Sequence, residues 1–471
     1  MIVRGITLCS NPDFDYEIYG WMGHIKPGRA MMHHSYNDYN GGQAKWMMNL
    51  PLARTMSGSK FNMDVDVKMM ETMFRMIGED GLYYIPVIGA PWHEAWDSGW
   101  AVKPGVEQHF DSWPNGRALQ CLVTWYARDP GNEGLKKNIE RMIHGFLTLA
   151  NRQDGVGWLP AHFTNIDGSR TMPLSPQGVL QQSTVLPGVA HYYRLTKYPP
   201  AKELAELFVN YWLGPANFLK ENGEWNLTPT LHFHGTTFAI GGLLDWALAV
   251  NDQALLSKVA KAYEFARAGG EPLMGWFPES LPALHPGTEP CGIGDMTVLA
   301  SLLSEAGAGD YWEDVEHYTR NLLSEVQITD NWFLERMASD AGLSGETYEA
   351  KKPLETADNV ADRMLGVFTG MSAADGQTQT VSSHCCTGNG FRGMYHAWSS
   401  IVSLQERTLR VNLLLNRASQ WADVNSFLPY QGRVDVMMKQ PLALQVRIPS
   451  WVKDIAQVEC TVDGNKKVCS M

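Results

Sequence analysis

The run GLKKNIERMIHGFLTLANRQDGVGWLP, residues 134–160, decides the fold. Its first part sets Leu135, Ile139, Met142, Ile143, Phe146 and Leu147 at intervals of three and four, the mark of an amphipathic helix with one face turned to a core. Its end, QDGVGWLP (153–160), is a turn: Asp-Gly, an aromatic, then proline. The same signature returns in EDGLYYIP (79–86) and ENGEWNLTP (221–229), about one helical hairpin apart. A hairpin cannot bury its apolar face alone, so repeated hairpins stack on their neighbours. A closed ring, an (α/α)6 toroid, and a linear helical solenoid both meet that demand. The long, aromatic, irregular loops favour the ring, because they suit the lining of a central funnel.

Working outward, residues 60–405 read as helical, with runs at 64–77, 117–128, 177–196, 201–220, 236–250, 253–268, 292–306, 311–326 and 391–404. After residue 406 the period falls to two. TLRVNLLLN (408–416), RVDVMMK (433–439), LALQVRIPSW (442–451) and QVECTVDG (457–464) read as strands. The expected organisation is a mainly α protein: an (α/α)6 barrel over residues 1–405, then a β-sandwich over 406–471. Four strands are few for a sandwich, so that domain is expected to be partial or to borrow strands.

Composition excludes several classes. The chain has 471 residues, 44% of them hydrophobic, enough for a large core and too many for one ordinary domain. Its net charge of −12, without a Lys/Arg cluster, argues against a nucleic-acid partner. No run approaches the length of a membrane-spanning helix. The start, MIVRGITLCSNPDFDYE, lacks the apolar core of a signal peptide, so a cytoplasmic location is expected, with export of a processed form left open. Walker, dinucleotide, H-E-x-x-H and G-x-S-x-G motifs are missing from the sequence.

Two distant segments carry the chemistry. TEPCGIGD holds Glu289 and Cys291, and SSHCCTGNG holds Cys385 and Cys386. A carboxylate and three thiols match the number and type of ligands at a tetrahedral zinc site. A lone cysteine is more often a small buried hydrophobe. An adjacent pair in a Ser-, Thr- and Gly-rich loop does not read as core, and adjacent cysteines rarely bridge each other. The remaining cysteines, Cys9, Cys121, Cys460 and Cys469, read as structural or incidental. PWHEAWDSGWAVKPGVEQHFDSWPNG (91–116) places four tryptophans among acids, so Trp96 with Asp97, and also Glu94 and Asp111, are candidates to stack on and bind a sugar.

With the E-x-C segment, the CC loop followed by Asn389 and Arg392, and the late VN…RIPSW strands, the chain resembles the β-L-arabinofuranosidases of glycoside hydrolase family 127 over residues 60–464. The resemblance implies zinc bound by Glu289, Cys291, Cys385 and Cys386, with Cys385 as nucleophile of a retaining glycosidase. It implies a general acid/base glutamate shortly before the E-x-C segment. Glu279 in GWFPES and Glu271 in GGEPLMG both precede it, and Trp276, Phe277 and Pro278 favour Glu279 by desolvating it. LHFHGTT (231–237) resembles the family's histidine segment, which implies His232 and His234 at the sugar hydroxyls. His191 and His384 are weaker candidates. The implied substrate is a glycoside or oligosaccharide ending in an L-arabinofuranose-like sugar, with a homodimer left open. Two alternatives stand: a carbohydrate hydrolase or lyase on the same barrel with structural cysteines, and a non-catalytic, zinc-stabilised sugar-binding protein.

Overall fold

The structure, a computed structural model, describes residues 1–471 except 20–21, 27–28, 37, 94–106, 161, 165–175, 285–286, 340–349, 371, 374–380 and 383. Helices α1 (Ile2–Leu8), α2 (Gln43–Ser57), α3 (Met63–Arg75), α4 (Ser112–Arg128), α5 (Glu133–Leu149) and α6 (Val185–Thr196) are followed by α7 (Pro199–Leu213), α8 (Phe233–Val250) and α9 (Gln253–Ala268). Then come α10 (Pro290–Glu305), α11 (Trp312–Tyr318) and α12 (His384–Ser400). Helices α2, α4, α6, α8, α10 and α12 each pack on the next, and α12 closes back onto α2. The ring is therefore closed, as an (α/α)6 barrel requires. Helices α3, α5, α7, α9 and α11 pack outside the inner helix that each one follows.

The amphipathic pattern sorts the two layers. In α5 the expected stripe Leu135, Ile139, Met142, Ile143 and Phe146 is buried, while Asn132 caps the helix by accepting a hydrogen bond from the Leu135 amide at 3.1 Å. The inner helix α8 is buried on nearly every face, from Phe233 to Ala249, because it has neighbours on both sides and the outer layer behind it. The repeated turns return the chain from the outer layer to the inner one. Each makes a minimal antiparallel contact, Ile77 with Tyr83, Asn151 with Trp158 and Leu219 with Trp225, and Glu271 with Trp276 adds a fourth. Gly81 has φ +82°, and a Cβ there would lie 2.1 Å from the Arg141 carbonyl, so only glycine lets that turn sit against α5.

Several boundaries differ from expectation. The 177–196 run breaks at residues 182–184, between the short helix Pro176–Gln181 and α6. Helix α4 begins at Ser112 because Asp111 caps it, accepting from the Trp113 amide at 2.8 Å. Pro114 falls in that first turn, where a missing N–H costs nothing. Helix α2 has Pro51 inside it and shows little periodic pattern, so the sequence does not announce it.

The strand-rich part runs from Val402 to Ser470: β1 (Val402–Gln405), β2 (Thr408–Val411), β3 (Arg417–Ala418), β4 (Ala422–Ser426), β5 (Arg433–Met438), β6 (Ala443–Val446), β7 (Glu459–Asp463) and β8 (Lys466–Ser470). They form a three-stranded sheet, β1-β2-β6, and a five-stranded sheet, β3-β4-β5-β8-β7. The described strands thus outnumber the four that alternation marks. Cys460 faces Cys469 across the β7–β8 pair and is disulfide-bonded to it. Arg447 ties this part to the barrel through Glu316 at 2.6 Å, and Arg320 donates to the Leu414 carbonyl.

Candidate functional site

The inner helices bring their N-terminal ends to one mouth of the ring. Glu289 is the N-cap of α10, Pro290 fills its first position, and Cys291 follows. Cys385 and Cys386, expected in a loop, instead lie in the first turn of α12. Helices α10 and α12 meet very closely. A Cβ on Gly294 would lie 2.3 Å from the Asn389 carbonyl, and one on Gly393 would lie 2.7 Å from Gly294 Cα. That bare contact draws the two helix starts together.

The four donors converge. The sulfurs of Cys291 and Cys386 are 3.8 Å apart, and those of Cys385 and Cys386 are 3.7 Å apart. Glu289 Oε1 lies 3.2 Å from Cys385 Sγ and 3.7 Å from Cys386 Sγ. All four ligand atoms fall within 4.8 Å of one another. A tetrahedron with metal–sulfur bonds of about 2.3 Å has sulfur–sulfur edges of about 3.8 Å, and with a metal–oxygen bond of about 2.0 Å its sulfur–oxygen edges are about 3.5 Å. Those four separations lie within about 0.3 Å of such edges and the other two fall under 4.8 Å, so the donor set fits a zinc ion in chemistry and in spacing. Cys291 is 0% and Cys386 1% exposed, whereas Cys385 is half-buried and is the most exposed of these three thiols. Burial pushes the Cys291 and Cys386 thiols well above their ordinary range, and a bound cation is what would reverse that.

Beneath the thiols lies a buried charged layer. His234 is 2% exposed. Its Nε2 faces Arg117 Nη2 at 2.8 Å, Asn389 Nδ2 at 3.0 Å and Lys45 Nζ at 3.2 Å, all donors. Its Nδ1 lies 2.6 Å from Asp295 Oδ2. The proton therefore belongs on Nδ1, and burial first, then Lys45 and Arg117, holds the ring neutral with a pKa of about 4 despite Asp295. Burial also lowers Arg117 to about 9, while Asp295, Cys291 and Cys385 work the other way. With a dication, four deprotonated donors would carry two net negative charges. Lys45, Arg117 and Arg392 set against Asp295 would supply two positive ones. Sequence reasoning missed Lys45, Arg117 and Asp295. The available signals were a lysine inside the apolar run QAKWMM and an aspartate one helical turn after Cys291.

His232 and His234 part company in the structure. The His232 side chain is 40% exposed, and its Nε2 lies 3.1 Å from Glu289 Oε2 while Nδ1 accepts from the Gly235 amide. Burial opposes its charge, but Glu289, Glu279 and Cys385 together raise its pKa. His234 lies under the site with both ring nitrogens taken, which leaves it an organising role rather than a place at the sugar. Glu279 is half-buried, next to buried Phe277 and Pro278, and acts electrostatically on His232. Glu271 is exposed in the turn that pairs with Trp276. Glu94, Trp96 and Asp97 lie outside the described residues, as does the His384 side chain. Asp111 is 7% exposed and occupied as the α4 cap. His191 belongs to the far half of the barrel.

A second buried group, Glu17, His34 and Asp38, also brings three donor atoms together, with His93 beside them. Here His34–Asp38 is 2.7 Å and His93–Glu17 is 2.8 Å. Those are hydrogen-bond lengths, shorter than the edge of about 3.3 Å between nitrogen and oxygen ligands on one zinc. Burial and Glu17 push the Asp38 carboxyl well above its ordinary range, and the group is a buried hydrogen-bonded network near the start of the chain.

No protein-family model matches the chain, and no curated protein matches it. Solved structures do. A GH127 β-L-arabinofuranosidase from Geobacillus stearothermophilus T6 matches with a TM-score of 0.57 at 13% identity, over 99% of this chain and 71% of that one. A second GH127 β-arabinofuranosidase gives 0.56 at 12% identity, over 99% and 73%. Cellobiose 2-epimerase from Bacillus thermoamylovorans B4167 gives 0.56 at 10%, over 84% and 95%. The chain thus has the six-hairpin (α/α)6 fold found in carbohydrate-active enzymes, hydrolases and epimerases alike. At these identities the likeness speaks for the fold, and the chemistry must be argued from the site.

Proposed function

We propose that the protein is a retaining glycoside hydrolase that removes a terminal L-arabinofuranose-like sugar, with Cys385 as nucleophile in a zinc site completed by Glu289, Cys291 and Cys386. The observation that carries this is the convergence of those four donors on zinc-like edges, with Cys385 the one half-buried member of an otherwise buried set. Zinc, when bound, would keep the thiols deprotonated. The Cys385 sulfur attacks the anomeric carbon as the bond to the leaving oxygen breaks, forming a thioglycosyl enzyme. A glutamic acid gives its proton to the leaving oxygen, and as the carboxylate it then takes one from water. Water displaces the sulfur, so configuration is retained. Glu279 suits that role better than Glu271, because it is half-buried beside His232 whereas Glu271 is exposed at a turn. His232 orients Glu289 and offers its ring edge to a sugar hydroxyl.

The test is turnover of aryl β-L-arabinofuranosides by the zinc-loaded protein, with mass spectrometry of the denatured enzyme during turnover. The expected result is a sugar adduct on the peptide that carries Cys385, and a loss of about a thousandfold or more in kcat for Cys385→Ser. Full turnover by Cys385→Ser would sink this reading in favour of a carboxylate-based enzyme with structural cysteines. Bound zinc without hydrolysis of any glycoside would favour a binding protein.

A further inference from the structure

The opposite half of the ring holds a cavity of about 150 Å³ between the C-terminal halves of the inner helices. A cavity of that size has room for a small hydrated ion or molecule. Its wall is cationic. Arg128 comes from α4, Arg194 from α6 and Arg392 from α12, with His191 and His396 between them. Among the described residues, two carboxylates answer these guanidiniums. Asp245 pairs with Arg194 at 3.1 Å, and Asp295, already engaged with His234, stands 3.5 Å from Arg392 Nη1. Arg128 has a neutral partner, the Tyr395 hydroxyl. Arg392 Nη1 is buried with no hydrogen-bond acceptor, and Gln120 Oε1, in the same wall, is buried with no donor. Gln120 is 8% exposed, so water in bulk does not satisfy it. The Arg194 and Asp245 side chains, 34% and 17% exposed, mark the side from which the cavity opens.

Two complementary deficits thus share one small space: surplus cationic donors, and a neutral acceptor without a proton to accept. We infer that this cavity binds a small oxyanion that also carries a hydroxyl, such as hydrogen phosphate or a compact hydroxycarboxylate, with Arg128 and Arg392 on the charged oxygens and Gln120 accepting from the hydroxyl. Guanidinium forks match such oxygens in shape as well as charge. Both imidazoles register the cationic wall, His191 against the opposing pull of Asp245. Burial first, then the neighbouring guanidiniums, lowers His191 and takes His396 to about 3. The cavity lies away from the thiols, shares Arg392 with the charged layer beneath them, and does not depend on the proposed hydrolysis.

The test is calorimetric titration of the zinc-loaded full chain with inorganic phosphate at pH 7 and constant ionic strength, with sulfate as the comparison. Sulfate has similar shape and charge but no proton for Gln120. Saturable one-to-one phosphate binding is expected, tighter than sulfate. Arg128→Gln and the near-isosteric Gln120→Glu should each weaken it about tenfold or more. Cys385→Ser, at the other mouth, should leave phosphate affinity unchanged. Should Arg128→Gln fail to fold, Gln120→Glu carries the test by itself. Absence of saturable phosphate heat into the tens of millimolar, or binding that neither Gln120→Glu nor the sulfate comparison alters, overturns the inference.

Discussion

Asp295→Asn removes one buried negative charge at nearly constant volume, and its cost follows from the layer under the thiols. Asp295 is 2% exposed, faces His234 at 2.6 Å, accepts from Thr237 Oγ1 at 2.9 Å, and answers Arg117 and Arg392. Burial alone would raise its pKa, but His234, Arg392 and Arg117 together hold it below the ordinary carboxylate range. Breaking a buried charge group by neutralising one member costs about 3–5 kcal/mol, because the other charges stay buried. An asparagine oxygen still accepts from His234 Nδ1–H, which returns about 1 kcal/mol. The expected loss at pH 7 is therefore about 2–4 kcal/mol. Urea unfolding followed by the fluorescence of the 17 tryptophans, with wild type and variant at equal metal loading, measures it. The pH dependence has a definite sign. A carboxylate with a lowered folded pKa stabilises fully above its unfolded value of about 3.9, and the benefit fades as pH falls through the folded pKa. The gap between the two proteins should hold from pH 8 to pH 5 and close only in stronger acid. A loss below about 1 kcal/mol at pH 7 would mean that Asp295 is not what neutralises Arg117 and Arg392.

Other outcomes follow from single residues. Burial raises the Asp111 carboxyl to about 7, so the folded chain holds a proton that the unfolded chain has lost between about pH 4 and pH 7, and stability falls with rising pH across that window. Asp111→Asn keeps the cap on the Trp113 amide and should remove that slope, gaining about 2–4 kcal/mol at pH 8 and little at pH 4 by chemical denaturation. Gly294→Ala forces a methyl to within 2.3 Å of the Asn389 carbonyl, so it should cost about 1–3 kcal/mol or more and lower zinc retention in dialysis against a chelator. Retention equal to wild type would show that the α10–α12 contact does not set the donor spacing.

The barrel was legible where helices have one wet face. The stripe of α5 and the Asp-Gly and Asn-Gly turns marked the hairpins and their period; burial left a ring and a solenoid both open, and the long aromatic loops favoured the ring. The inner helices were harder, because an element covered on all sides loses its periodic signature, and α2 also carries Pro51. Glu289, Cys291, Cys385 and Cys386 could be read as a set because soft donors in glycine-rich segments have few other uses. The helix that follows Glu289 and Cys291 was legible as the 292–306 run, but the placement of Cys385 and Cys386 in the first turn of α12 was not, since the SSHCCTGNG run reads as loop. The layer of Lys45, Arg117 and Asp295 was hidden, because the burial that gives these charges meaning comes from helices about seventy to two hundred and fifty positions apart in the chain. Short strands such as β3 and β4 were lost to the polar residues that cover their outer face.

Everything assigned to the thiol mouth rests on whether one metal ion sits among these four donors. Zinc-edge X-ray absorption on the purified, zinc-replete chain, together with its metal content, is the most direct measurement. One zinc per chain is expected, with three sulfur neighbours at about 2.3 Å and one oxygen at about 2.0 Å. A shell of nitrogen and oxygen alone, or a chain that holds no zinc while its thiols titrate freely, would contradict it.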